Sequence, residues 1–177
     1  MRLACGCPDT FPDWHGKDVD LSLHCAHILP VTTFFHMPLS YAAHRERQRN
    51  EIEQLELQEP WPGFILTQTN FMSGRIISLL NPAQSPSRHV VCLPAAFQLQ
   101  GKLHPGGMGT LRNSARELQS LLFDAGRMPK ELFLAHLTCP RCAAQRGGEK
   151  ILLLRRWIES PRLKQRHNIV KPAAHLP

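Results

Sequence analysis

Two cysteine pairs, in "ACGCPD" and "LTCPRCAA", sit at opposite ends of the chain, and each lies beside a proline. A fold that uses both pairs at one point must carry its first residues against a late connection between strands. Four thiolates give a closed tetrahedral shell with bonds of ~2.3 Å. Cys139-Pro140-Arg141-Cys142 is a C-x2-C turn, in which two sulfurs face one ion while the backbone curls beneath them. Cys5-Gly6-Cys7 has a shorter spacing, which Gly6 makes workable by freeing the backbone. The expected site is therefore Cys5, Cys7, Cys139 and Cys142 around zinc, with an iron–sulfur cluster as the alternative. Closing so long a loop restricts the unfolded chain much as a disulfide would.

Disulfides fit less well. Cys5 and Cys7 are too close to bridge each other comfortably, a Cys5–Cys139 type bridge is the disulfide left open, and the chain reads as one from a reducing compartment. A thiol-redox role for Cys139 and Cys142 is a further option, weighed against by the second pair. Cys92, inside the apolar "HVVCLP", is expected to be an inert core thiol.

With 177 residues, 42% hydrophobic and 20% charged, the chain has the means to bury a core. One domain is expected over 1–159, followed by a basic, proline-containing tail over 160–177. That tail carries Arg162, Lys164, Arg166 and Lys171 and no acid, so it supplies part of the formal net charge of +7. No run approaches the ~18 apolar residues of a membrane span. Only Met1 and Arg2 precede "LACGC", too few for a lipoprotein signal. The expectation is a cytoplasmic protein with no membrane partner.

The pattern predicts an α+β fold: a small antiparallel sheet with two main helices, its N- and C-terminal parts pinned together by the four-cysteine site. "SYAAHRERQRNEIEQLELQ" predicts a surface helix with a thin stripe of Tyr41, Ile52 and Leu55. "GFILTQTNFMSGRIISLLN" predicts two strands about a turn near Ser73-Gly74, and "RHVVCLP" and "AFQLQGKL" are further short strands. Leu111, Ala115, Leu118 and Leu122 recur at helical spacing, with Thr110 as N-cap and Gly126 past the end. "ELFLAHLTCPRC" and "EKILLLRRW" predict two strands joined across the cysteine pair. Leu21 to Leu29 and Val31 to His36 are expected extended pieces, and no internal repeat is visible.

Chemistry concentrates in "DWHGKDVDLSLHCAH". His15, Asp18, Asp20, His24 and His27 are residues of the types that hold a catalytic metal or move protons, and Cys25 lies among them. Three such ligands and a water would make a hydrolytic zinc site. The competing reading is a polar loop with ordinary hydrogen bonds. "HPGGMGTLRN" offers Gly107, Gly109, Thr110 and Arg112 as an anion or cofactor cradle at a helix start. It lacks the lysine of a P-loop, so a plain turn before a helix is the competing reading there. Arg45, Arg47 and Arg49 oppose the dipole of the first helix, which suits a nearby anion or a solvated face with Glu51 and Glu53.

Over "CGCPDTFPDWHGKDVDL" and "LTCPRC…GGEKILLLRRW" the chain resembles small bacterial proteins with cysteine pairs at both ends, some of them labelled hydrolases. That resemblance implies a bacterial protein and favours an enzyme, without implying a mechanism. Two functions follow as expectations. The first is a zinc-binding, metal-dependent hydrolase using the Asp/His segment 13–27. The alternative is a non-enzymatic, zinc-stabilised module that binds nucleic acid or another anionic partner through Arg112, Arg45 and the tail.

Overall fold

A computed structural model describes residues 3–82 and 85–163; most of the expected tail lies outside the described residues. The strands are β1 (Asp18–Asp20), β2 (Cys25–Phe34), β3 (Met37–Pro38), β4 (Ile65–Thr69), β5 (Ser73–Leu79), β6 (Val90–Cys92), β7 (Gln98–Pro105), β8 (Arg127–His136) and β9 (Lys150–Glu159). The helices are α1 (Tyr41–Gln54), α2 (Leu111–Asp124) and the single turn α3 (Pro140–Ala143). All strand pairs are antiparallel, in the order β1-β7-β9-β8-β4-β5-β2-β3, with β6 also on β2. The α+β class and the antiparallel sheet expected from the sequence are what the molecule has. No helix among the described residues is long and apolar enough to cross a membrane.

The topology holds a repeat that the sequence hides. Apart from the two-residue β3 that follows β2, β2-α1-β4-β5 and β7-α2-β8-β9 have the same order of strands and helices, and their strands pair in the same way, β4-β5-β2 and β8-β9-β7. The two units meet where Thr67 of β4 lies opposite Leu134 of β8. Strand alternation then assigns the faces. Leu66, Ile77, Phe133, Ala135, Leu152 and Leu154 share one core, roofed by Phe64, Leu93 and Phe97 from connecting segments. Ile151 and Leu153 turn the other way, onto Leu111 and Leu118 of α2. Leu29, Val31 and Ile76 also face that way, onto Tyr41 of α1.

α2 forms as the spacing predicts, with Leu111, Leu118 and Leu122 buried and Gly126 in the left-handed region just past its end. Thr110 does stand at its start, but its hydroxyl makes no cap bond; it meets His104 Nε2 (2.9 Å) and the Gly107 carbonyl (3.2 Å) instead. α1 is shorter than its sequence pattern, and its buried residues are Gln48 and Ile52.

β2 runs unbroken through Pro30, where two extended pieces were expected. Pro30 faces Arg75 of β5 on one side. On the other it falls between the ends of β6 and β3, where no neighbour needs its missing N–H. Cys92 corrects the expectation of a core thiol: it is exposed, because β6 is a three-residue edge strand.

Candidate metal centre and cavity

The four expected metal ligands converge. Cys5 and Cys7 come from the N-terminal turn, Cys139 and Cys142 from the β8–β9 connection, and their sulfurs all lie within 4.8 Å of one another. Gly6 has φ +85°, and its N–H donates to the Leu3 carbonyl (2.8 Å), which curls the short Cys5-Gly6-Cys7 turn. On the other side the N–H groups of Cys142 and Ala143 donate to the Cys139 carbonyl (3.0 and 2.9 Å). The Cys139 N–H donates to Cys142 Sγ (3.3 Å), and the two sulfurs stand 3.9 Å apart. All six cysteines are free of disulfides.

Two arginines fasten these turns together. Arg146 donates to the carbonyls of Pro8 (2.7 Å), Asp9 (3.0 Å) and Leu137 (3.3 Å). Arg45 of α1 donates to the Gly6 carbonyl (2.9 Å). Arg45 thereby gains a partner other than an anion.

The thiols are electrostatically unlike. Burial pushes the Cys7 thiol well above its ordinary range, helped by hydrogen bonds within the group. At Cys139 burial also acts upward. It is outweighed by the Cys142 and Arg141 amides and by the neighbouring thiols, and the pKa comes down to about 6. A ready thiolate among closely spaced thiols is the donor set that a thiophilic ion takes up.

The Asp/His segment does not form a second such group. Asp18 makes a paired bond with the Arg127 guanidinium (2.8 and 2.9 Å). His15 Nδ1 accepts the Leu103 N–H (3.1 Å), and that turn rests on Gly101, where a Cβ would collide with the Trp14 carbonyl. Asp20 accepts the Ser22 N–H (2.8 Å), and the Ser22 hydrogen bonds hold its carboxyl below the usual range. His24 is exposed, with Nδ1 3.3 Å from the Ser22 carbonyl. Only His27 is fully buried, on the sheet face under α1.

Two of these residues do share a cavity. A cavity of about 600 Å³ is walled by Trp14, Trp61, Leu21 and Leu79, and Asp20, Ser22, His24 and Cys25 line it. Trp14 holds the wall by edge-on contacts with Trp61 (5.4 Å) and Phe64 (5.6 Å). The glycine loop is a different case. Gly107 packs against the Glu149 carboxylate, so an anion there would meet a like charge, and Arg112 is exposed.

Sequence reasoning passed over Gln48, Glu51 and His89. Glu51 reads as part of a solvated face, yet its carboxylate contacts His27 (3.3 Å) and His89 (2.8 Å). Nothing in the spacing of residues 27, 51 and 89 signals that meeting.

The family model described as bacterial hydrolase matches residues 3–156, and the chain belongs to that family. No curated protein matches it by sequence. Among solved structures, the C-terminal domain of EcmrR is similar with a TM-score of 0.60 at 12% identity, covering 81% of this chain and 95% of that one. An EcmrR–DNA complex matches with a TM-score of 0.55 at 11% identity, covering 81% of this chain and 56% of that one. At such identities the likeness is one of fold.

Proposed function

We propose that the protein is a hydrolase of a small, largely apolar molecule, held in shape by a structural zinc on Cys5, Cys7, Cys139 and Cys142. The observation that carries the hydrolytic part is the cavity, which sets Asp20, Ser22, His24 and Cys25 beside an apolar tryptophan wall. Membership in the bacterial hydrolase family supports the reaction class.

His24 is the base. Donation of its Nδ1–H to the Ser22 carbonyl leaves Nε2 as the basic nitrogen. In the reaction Nε2 takes a proton from water, the hydroxide adds to the substrate carbonyl, and the imidazolium returns that proton to the leaving group. Asp20 lines the same cavity wall as His24. Hydrolysis of a panel of aryl esters with increasingly apolar acyl chains tests this. His24→Ala is expected to lower kcat by about 100-fold or more without loss of fold, since general base catalysis contributes ~10²–10⁴. Equal rates in His24→Ala and wild type would remove His24 from the mechanism.

Zinc is favoured over an iron–sulfur cluster by the size of the shell. Bonds of ~2.3 Å in a tetrahedron put sulfurs about 3.8 Å apart; Cys139 and Cys142 stand at 3.9 Å, and all four sulfurs lie within 4.8 Å of one another. A cluster spreads its thiolates over several irons and needs a wider shell. Metal analysis and the visible spectrum decide between them.

A second reading, an anion- or nucleic-acid-binding module, draws on the likeness to a domain of a protein seen bound to DNA. Its test is binding to duplex DNA at two salt concentrations, with affinity falling steeply as salt rises.

A further inference from the structure

His27, Glu51 and His89 come from β2, α1 and the β5–β6 connection, and their ligand atoms lie within 4.8 Å of one another. His27 is wholly buried, and neither its Nε2 nor Oε2 of Glu51 has a well-aligned hydrogen bond; the ion-pair contact between them stands in its place. These two atoms face each other at 3.3 Å. A buried acceptor or donor without a well-aligned hydrogen bond is destabilising, and a fold rarely leaves two of them side by side.

The surroundings hold the group in place. Glu51 Oε1 is occupied by His89 Nδ1 (2.8 Å) and by the Ser87 hydroxyl (3.2 Å). The Ile28 N–H donates to the His89 carbonyl (2.8 Å), which fixes that loop to β2. Gln48 donates to the His27 carbonyl (2.9 Å) and its Nε2 also lies 3.3 Å from His27 Nδ1. Gln48 Nε2 is a donor, so its contact with Nδ1 leaves Nε2 as the ring nitrogen that faces Glu51 Oε2.

His104, the other buried histidine among the described residues, shows the contrast. Its Nδ1 meets the Ser114 hydroxyl and its Nε2 the Thr110 hydroxyl, both at 2.9 Å, so both nitrogens are used. His27 keeps one nitrogen aimed at a carboxylate oxygen that also lacks a well-aligned hydrogen bond.

We propose that His27, Glu51 and His89 form a second metal site, for a divalent transition ion and zinc in the first place. Two imidazoles and one carboxylate are a set that zinc accepts while keeping a further position for water. His27 Nε2 and Glu51 Oε2 would serve as ligands in place of their contact with each other, and His89 would exchange its hydrogen bond to Glu51 for the ion. The Glu51 and His89 side chains, 24% and 13% exposed, leave it a way in. Gln48 and Ser87 are positioning residues, acting through His27 and Glu51. The site lies apart from the cavity that holds His24, so it stands or falls separately from the hydrolytic reading.

The test is a zinc count on the full chain, stripped of metal and reloaded, with wild type beside Glu51→Gln, His89→Asn and Cys139→Ser. Gln at 51 keeps the shape and the Ser87 bond, which guards against loss of fold; circular dichroism checks each variant. Wild type is expected to hold two equivalents, and Glu51→Gln and His89→Asn one each. Cys139→Ser is expected to keep the equivalent that the other two lose. Cobalt in Cys139→Ser should give a visible spectrum without the thiolate charge-transfer band, and Glu51→Gln combined with Cys139→Ser should abolish it. A single equivalent in wild type, lost only in Cys139→Ser, would overturn the proposal. So would a second equivalent that survives both Glu51→Gln and His89→Asn.

Discussion

The two β-α-β-β units share a topology and differ in what lies beneath their helices. Under α2 the contacts are mainly apolar: Leu111 and Leu118 rest on Ile151 and Leu153, with Leu132 and Leu134 at the side, and the His104–Ser114 bond (2.9 Å) is the polar exception. Under α1 they are largely polar. Gln48 bonds the His27 carbonyl, Glu51 meets His27 and His89, and the Tyr41 hydroxyl meets Thr67 (2.8 Å). The second unit is built to pack, and its one elaborated connection carries Cys139 and Cys142. The first unit places ionisable groups where an apolar stripe would be more stabilising, and the group that ties the units' ends together leans on Arg45 of α1. A helix with a polar underside is held by directional bonds, each of which fixes a particular side chain.

The largest effect is expected where the units' ends are joined. Cys139→Ser, or removal of metal with a strong chelator, should destabilise the protein by about 4 kcal/mol, the order for cross-linking a loop of ~100 residues. Urea unfolding with and without chelator measures it. If stability does not change, Arg146 and Arg45 suffice to tie the N-terminal turn to the sheet, and the thiols serve something other than structure.

Next comes the apolar helix. Leu118 is 1% exposed, and Leu118→Ala should cost about 2–5 kcal/mol while metal content stays as it was. An equal loss of metal would show that the two units are not separable, and the contrast between them would fail.

What could be read in advance follows the same division. α2 was legible because its core contacts are made by Leu111, Leu118 and Leu122 at regular spacing along one helix. The cysteine site was legible because each pair is local and thiols so placed have few other uses. The buried face of α1 was not. Gln48 and Glu51 carry no hydrophobic signal, and their partners His27 and His89 are distant in sequence, joined only once β2 and the β5–β6 connection meet the helix. Cys92 was misread because an apolar neighbourhood in sequence does not distinguish an inner strand from an edge strand such as β6. The repeat was invisible for a related reason: one topology was filled once mainly with leucines, around a single His104–Ser114 bond, and once with glutamine, glutamate and histidine.

A smaller effect is expected from Gln48→Leu. It keeps the volume but strips the His27 carbonyl of a donor and the ring of its support. Loss of a buried hydrogen bond costs about 1–3 kcal/mol. The informative readout is zinc affinity at the second site, expected to fall about 10–100-fold, the range for losing a group that orients a ligand. Stability lost with affinity intact would make Gln48 a packing residue and bring the two units closer in kind.

The smallest effect is expected at Asp18, a candidate catalytic residue on sequence grounds. Its carboxylate is half exposed and pairs with Arg127 across the β1 edge of the sheet. Arg127 is in turn stacked on Trp157, 3.9 Å from the ring centroid, so it stays in place when the partner changes. Asp18→Asn should therefore lower stability by no more than about 1 kcal/mol, with ester hydrolysis unaltered. A large drop in kcat with unfolding unchanged would return Asp18 to the reaction and extend the chemistry of the segment beyond the cavity. Because the pair is exposed, its small contribution should shrink further as salt is raised, whereas a catalytic role would not follow salt in that way.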